Sequence, residues 1–82
     1  MANEEMTEYS SSDIYFAAYL CALDFPLKQT EREGDKKKVV FVFDIPKKDL
    51  NKIKTDFFGG SGTVKVQKFV QALRSLKSIC FV

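Results

Sequence analysis

The sequence contains no histidine and no tryptophan, and it has only two cysteines. Because histidine is missing, the chain lacks the commonest general base and the usual activator of a catalytic serine or cysteine. Zinc sites that combine cysteine with histidine are excluded, and Cys21 and Cys80 lie in separate apolar runs, too few for a structural metal site. We therefore expect two free core thiols, no metal, no cofactor, no small-molecule substrate and no enzymatic activity.

Long hydrophobic runs are also missing. The longest, residues 14–23, has ten residues, whereas a membrane-spanning helix needs about 20. The opening stretch MANEEMTEYSSSD has no basic residue, which a secretory signal requires. Together with the free thiols, this predicts a cytoplasmic protein that does not contact a membrane. We expect residues 1–12 to form a disordered acidic tail and residues 13–82 to form a single domain.

Positive charge is absent from the first 24 residues, which carry five acidic side chains and no lysine or arginine. All 13 basic residues follow, against the six remaining acidic ones, so the formal charge is −5 for the first part and +7 for the second. This asymmetry predicts either an anionic partner for the basic part or an attraction between the two parts of the chain. The sequence leaves both alternatives open.

A helix is predicted over residues 14–23, where an apolar run follows the capping residues Ser11, Ser12 and Asp13. One side of this helix is bulky and the other is small, yet both are apolar. Such a helix must be covered on both sides, either within the domain or through its small side by a second copy. The possible dimer face consists of Ile14, Ala17, Ala18 and Cys21.

The next segment has the pattern of a β-hairpin. Residues 27–33 are polar and fit an exposed edge strand, Gly34 and Asp35 favour a turn, and the β-branched and aromatic run at 39–43 favours an inner strand. Both faces of the inner strand are apolar, which indicates burial on both sides. Because two strands alone are marginally stable, we expect a third, and the stretch TVKV at 63–66 is the best candidate.

Two further helices are predicted from the spacing of apolar residues. One follows Asp44, a candidate cap, and Pro46, and it ends at Gly59 or Gly60. The other covers the stretch VQKFVQALRSLKSICF. The predicted fold class is therefore α+β, with a small antiparallel sheet of two or three strands packed with three helices in the order α-β-β-α-(β)-α.

Three glycines surround a serine in the stretch DFFGGSGTVKVQKF, ahead of the last helix. The spacing does not match the phosphate-binding loop G-x-x-x-x-G-K-[ST], because valines occupy the sixth and eighth positions counted from Gly59. A helix cap followed by a flexible link is favoured. The alternative is that helix amides, with Lys65 and Lys68, hold a single phosphate group.

The lysines of the hairpin and second helix could neutralise a nucleic-acid backbone without reading its sequence. However, the aromatics that would stack on bases, such as Phe41 and Phe43, are expected in the core. A lysine-rich helix face is also more often simply solvated. The candidate anion or nucleic-acid contacts are Lys36, Lys37, Lys38, Lys47, Lys48, Lys52, Lys65, Lys68 and Arg74.

Several motifs follow one another in a recognisable order. They are Ser11, Ser12 and Asp13 before a helix with Ala17 and Ala18, Arg32 in the hairpin, and the closing Ala72, Leu73, Leu76 and Lys77. This order resembles a family of short bacterial, archaeal and phage proteins known only as a domain of unknown function. The resemblance covers about residues 11–78 and departs from the family in the run of lysines before the inner strand. It implies a phage-related or prophage-related context, with the protein in the cytoplasm of a bacterial cell or phage-infected host, and nothing catalytic.

From these observations we expect a small non-enzymatic protein-interaction module, with a protein partner or a homodimer formed through the first helix. The alternative is a nucleic-acid-binding protein that uses its lysine-rich hairpin and helix surface. Binding to DNA or RNA that weakens steeply with salt would favour the alternative, because phosphate contacts release counterions.

Overall fold

The computed structural model describes residues 5–32 and 38–80. It contains three strands and three helices, and the α+β class predicted from the sequence is confirmed. The observed order is β-α-β-β-α-α rather than the predicted α-β-β-α-(β)-α. The elements are β1 (Met6–Ser11), α1 (Ile14–Ala22), β2 (Leu27–Arg32), β3 (Val39–Pro46), α2 (Lys47–Gly59) and α3 (Val66–Cys80).

The strand β1 corrects the prediction of a disordered tail over residues 1–12. It pairs antiparallel with β3, from Met6 opposite Pro46 to Ser11 opposite Phe41. Polar residues can form this strand because β3 supplies the apolar surface and the hydrogen-bonding partner, so that β1 needs only Tyr9 to pack against the core. Residues 1–4 lie outside the described part of the chain. The domain therefore begins at β1 rather than at residue 13.

The third strand is β1 and not the predicted stretch TVKV. Thr63, Val64 and Lys65 have no regular secondary structure, and Val66 begins α3. The sheet order is β1-β3-β2, which confirms β3 as the inner strand. Because β1 and β2 occupy both sides of β3, the stretch at 63–66 has no free position beside it.

The hairpin strands β2 and β3 pair antiparallel, with Thr30 opposite Phe41 and Arg32 opposite Val39. The register shifts between Leu27 and Gln29, so Lys28 is the extra residue of a bulge. The predicted turn at Gly34 and Asp35 lies outside the described residues.

The helix ends follow local capping chemistry. Asp13 caps α1, since its Oδ1 accepts hydrogen bonds from the backbone N–H groups of Tyr15 (2.9 Å) and Phe16 (3.3 Å). Gly60 ends α2 in the left-handed conformation, at φ 81°, as its spacing predicts. The prediction that Asp44 caps α2 is wrong. Asp44 stays in β3, and Pro46 precedes the helix without a side-chain cap.

The hydrophobic core lies between one face of the sheet and all three helices. Every second residue of β3 points into it, as expected for a strand. The opposite face of the sheet carries no helix among the described elements. Val42 and Pro46 of β3 are nevertheless buried there, which agrees with the predicted burial of the inner strand on both sides. The buried core residues are Phe16, Ala17, Ala18, Tyr19 and Leu20 of α1, Ile53 of α2, Leu76 of α3, and Val39, Phe41, Phe43 and Ile45 of β3.

The helix α1 is covered within a single chain, and the cover includes part of the predicted dimer face. Ala17 and Ala18 are completely buried, while Ile14 and Cys21 are half-buried. The helix α3 approaches α1 so closely that Cα atoms of the two helices lie within 8 Å of each other. Small side chains on α1 permit this close approach, because the distance between packed helices is set by the residues at the contact. The apolar small side of α1 is therefore a packing surface inside the domain.

Candidate functional site

The linker between α2 and α3, residues 60–65, borders the principal surface features of the helical side. The first amides of the linker cap the C-terminal end of α2. The N–H groups of Ser61 (2.9 Å) and Gly62 (2.8 Å) both donate to the carbonyl oxygen of Asp56. These amides are therefore not directed at a bound anion. Lys68, a candidate for holding a phosphate there, instead forms an ion pair with Asp24 at 2.7 Å.

Gly62 is a glycine because Tyr19 leaves no room for a side chain. A Cβ atom at position 62 would lie 2.9 Å from Cζ of Tyr19 and would also overlap its hydroxyl oxygen. The Tyr19 ring is held from another side by Phe57, with ring centroids 5.1 Å apart. Burial raises the pKa of Tyr19 above its ordinary value, and the nearby charge of Asp56 raises it further. Tyr19 therefore stays protonated in the folded chain at neutral pH.

An apolar groove lies beneath the linker, between α2 and the beginning of α3. Its volume is about 470 Å³, and Gly62 and Thr63 form part of its edge. Val66, in the first turn of α3, is 75% exposed at its rim. Branched and aromatic side chains dominate the lining, so the groove suits an apolar side chain from another molecule. The apolar groove is lined by Tyr19, Phe57, Val64, Val66 and Phe69.

A polar cleft of about 390 Å³ lies on the other side of Tyr19. Asp49 and Asp56 line it from one face of α2, two helical turns apart, and Lys52 lies between them in the sequence. Ser61 and Thr63 of the linker complete its polar lining, while Leu23, Phe25 and Ile53 form its floor. Alternating charges of this kind can form ion pairs and hydrogen bonds. Among the described residues, no group of three or more potential ligands is placed to hold a metal ion.

The predicted basic residues are spread over several elements. Lys47 and Lys48 begin α2, Lys52 lines the polar cleft, and Arg74 is exposed on α3. The structure does bring some of them together, since Lys65 and Lys68 border one shallow pocket, and Lys38 borders another with Lys77. Lys36 and Lys37 lie outside the described residues.

Both cysteines are free, as predicted, and they are half-buried at the border of the core rather than enclosed in it. Cys21 lies in α1 and Cys80 ends α3. Burial raises the pKa of the Cys21 thiol, which keeps it protonated and a poor nucleophile at neutral pH.

The open face of the sheet carries a charge cluster that the sequence analysis missed. Lys28 donates to Glu8 of β1 at 2.7 Å and lies 3.6 Å from Asp44 of β3, so one lysine links all three strands. The hydrogen bond to Glu8 and the charges of both carboxylates raise the pKa of Lys28. The bulge at Lys28 and the register of β1 create this cluster, and neither can be read from residue spacing alone.

Comparison with known proteins identifies the family but no activity. Within residues 5–32 and 38–80, no helix has the length and apolar content needed to cross a membrane. No curated protein and no solved structure matches the chain. One family model matches residues 6–82, beginning at the first residue of β1, and this confirms the expected kinship with a domain of unknown function. The chain therefore belongs to the family described as Domain of unknown function (DUF5659).

Proposed function

We propose that the chain is a small non-enzymatic protein-interaction module that holds an apolar segment of a partner protein in the apolar groove. The observation that carries this proposal is the groove itself, with aromatic walls from Tyr19 and Phe57 and with Val66 75% exposed at its rim. Aromatic residues that are already held by packing make good anchors, since little side-chain entropy is lost on binding.

The position of Val66 supports binding of a partner more than a purely structural role. A valine in the first turn of a helix contributes little to folding when most of its surface stays in water. Phe69, one turn further along, is half-buried in the same groove, so the two side chains form a continuous apolar step. Burial of this step by a partner would remove apolar surface from water, which is the main source of binding free energy.

The setting of this interaction is part of the proposal. The resemblance to short bacterial, archaeal and phage proteins supports a phage-encoded or prophage-encoded protein that acts in the cytoplasm. The absence of histidine from the sequence supports a non-enzymatic role, because the commonest general base is missing.

Site-specific photo-crosslinking in the native cell tests the proposal. A photoreactive phenylalanine analogue at position 66 should give a discrete adduct with a second protein. The same analogue at position 74, which is exposed on α3 outside the groove, should not give that adduct. Equal adducts from both positions, or none from position 66, would contradict the proposal.

A nucleic-acid-binding function is the competing proposal. It is supported by the pocket that Lys38 of the hairpin shares with Lys77 of α3, because this joins basic residues from two elements. The pairing of Lys68 with Asp24 counts against it. The interaction-module proposal predicts no measurable binding to single-stranded or double-stranded DNA or RNA at low salt. Tight binding that falls steeply as salt rises would favour the competing proposal.

A further inference from the structure

The outer edge of β1 presents unpaired backbone groups. The N–H of Lys47 donates to the carbonyl of Glu5 at 2.8 Å. The backbone N–H and C=O groups of the odd-numbered residues of β1 therefore point towards β3. The N–H and C=O groups of Met6, Glu8 and Ser10 therefore point away from β3. The pairing of Met6 with Pro46 agrees, since proline has no N–H to offer at that position. Among the described residues, no other backbone segment pairs with this edge.

The two edges of the sheet differ in how well they resist pairing. The β2 edge is interrupted by the bulge at Lys28, and it carries a second cation at Arg32. Bulges and edge lysines are the usual means by which proteins prevent strands from joining. In contrast, β1 runs for six residues in unbroken register and contains neither proline nor lysine. Its one charge, Glu8, is already paired with Lys28 at 2.7 Å.

An exposed aromatic ring stands near the β1 edge. Phe58 is 63% exposed and stacks on Phe16, with centroids 5.4 Å apart, and Phe16 in turn meets Tyr9 of β1 edge-on at 5.6 Å. Lys54, one turn before Phe58 on α2, lies 5.4 Å from the centre of the Tyr9 ring. This face of α2 therefore lies on the β1 side of the helical layer, and it carries Phe58.

We propose that β1 pairs antiparallel with β1 of a second copy about a two-fold axis, so that two three-stranded sheets become one sheet of six strands. This inference goes beyond the proposed function, because it uses the sheet edge and leaves the apolar groove free. A second copy fits this edge because it brings a strand of equal length whose unpaired groups repeat at the same spacing. The same symmetry brings the two exposed Phe58 rings towards the axis, where both can lose contact with water.

The charges of the strand are compatible with this pairing. Two glutamates directly opposite each other would repel. Registers that set Glu8 opposite Ser10 or Met6 of the second copy avoid this repulsion. In both registers the outward backbone groups of one β1 still meet the outward backbone groups of the other. Lys28 pairs with each Glu8 at 2.7 Å and reduces the repulsion between the two edges, although Asp44 shares the same lysine at 3.6 Å.

Proline substitutions on the two edges test the proposal. Ser10→Pro removes an outward N–H from β1 and leaves the pairing of β1 with β3 intact, because proline is tolerated at such edge positions. Thr30→Pro is the matched control, since the backbone of Thr30 points outward from β2. In sedimentation equilibrium, we expect the wild-type chain and Thr30→Pro to be dimers at micromolar concentration and Ser10→Pro to be a monomer.

Two results of this experiment would overturn the proposed pairing of β1 with β1. A wild-type chain that stays monomeric throughout the micromolar range overturns the proposal, as does a Ser10→Pro chain that remains folded and dimeric. If circular dichroism shows that Ser10→Pro does not fold, amide hydrogen exchange of the wild-type chain is measured instead. Exchange at Met6, Glu8 and Ser10 must then slow as concentration rises, and unchanged exchange overturns the proposal. None of these results bears on the groove, so the proposed function stands or falls separately.

Discussion

At the scale of the residue, Tyr19 connects the features of the helical side. Its ring borders the apolar groove and the polar cleft, and it fills the space that a side chain at position 62 would need. The sequence predicts a bulky apolar side for α1, but not that Gly62 would pack against Tyr19. The two residues are 43 positions apart in the chain. The sequence alone does not show whether a glycine is needed because a distant ring packs against it or because the chain turns there.

Substitution of Gly62 should therefore destabilise the fold, whereas substitution of the nearby Gly59 should not. Gly62→Ala should lower the free energy of unfolding by about 1–3 kcal/mol, because the new Cβ overlaps the Tyr19 ring. Gly59→Ala is the control, since its Cβ would meet open space at the end of α2, and it should stabilise by up to about 1 kcal/mol. Urea denaturation measures both. Equal stabilities for the two variants would mean that the Tyr19 contact is absent.

Tyr19 should also make stability depend on alkaline pH. Burial and Asp56 raise its folded-state pKa above the ordinary value of 10.0. The resulting stability is present below that value and is lost as pH rises through the folded-state pKa. Denaturation midpoints from about pH 9 to about pH 11 should fall more steeply for the wild-type chain than for Tyr19→Phe. A slope due to Cys21, Tyr9 and Lys28, whose pKa values are also raised, should remain in both proteins. Identical slopes would contradict the burial of Tyr19.

At the scale of the element, the sequence predicts what depends on local chemistry. The cap at Asp13, the left-handed Gly60 and the apolar stripe of α3 are encoded within a few residues of one another, so all three helices are found in the predicted places. The run at 39–43 likewise identifies β3. In contrast, β1 is a polar strand whose pairing exists only because β3 has two free edges. Tertiary context creates this strand, and local propensity gives little sign of it.

Removal of β1 should therefore unfold the domain. A chain that lacks residues 1–11 loses the strand beside β3 and exposes Phe16, which is completely buried and contacts Tyr9. The remaining two-stranded hairpin is marginal. We expect the truncated chain to show no cooperative unfolding transition by circular dichroism. A truncated chain with the unfolding midpoint of the full chain would restore the interpretation of this segment as a dispensable tail.

At the scale of the whole molecule, the charge asymmetry of the sequence is partly satisfied within the chain. Glu8 and Asp24, from the acidic first part, pair with Lys28 and Lys68 from the basic remainder, each at 2.7 Å. Of the two alternatives that the sequence leaves open, attraction between the parts is therefore observed. These exposed pairs contribute little to stability individually, because water screens the attraction between their charges. They do place carboxylates beside two of the lysines, which weakens the positive surface that a nucleic acid would meet.

The helical side of the molecule is formed by the packing of α1, α2 and α3. The sequence predicts that α1 is apolar on all sides and needs cover, and α3 supplies this cover within one chain. The apolar groove arises where the linker 60–65 crosses between α2 and α3, and it depends on the relative positions of three helices. Residue spacing does not specify such a feature. The sequence therefore identifies α1 as a helix that needs cover, but it does not predict the apolar groove beside it.

Once the partner found by crosslinking has been purified, calorimetric titration measures how much the apolar groove contributes to its binding. Val66→Gln should weaken binding about five- to thirtyfold, because an apolar contact of about 1–2 kcal/mol is lost at the rim of the groove. Val70→Gln, one turn along α3 and outside the groove lining, should bind like the wild-type chain. Unchanged affinity for Val66→Gln, or equal losses for both variants, would contradict the assignment of the groove as the contact surface.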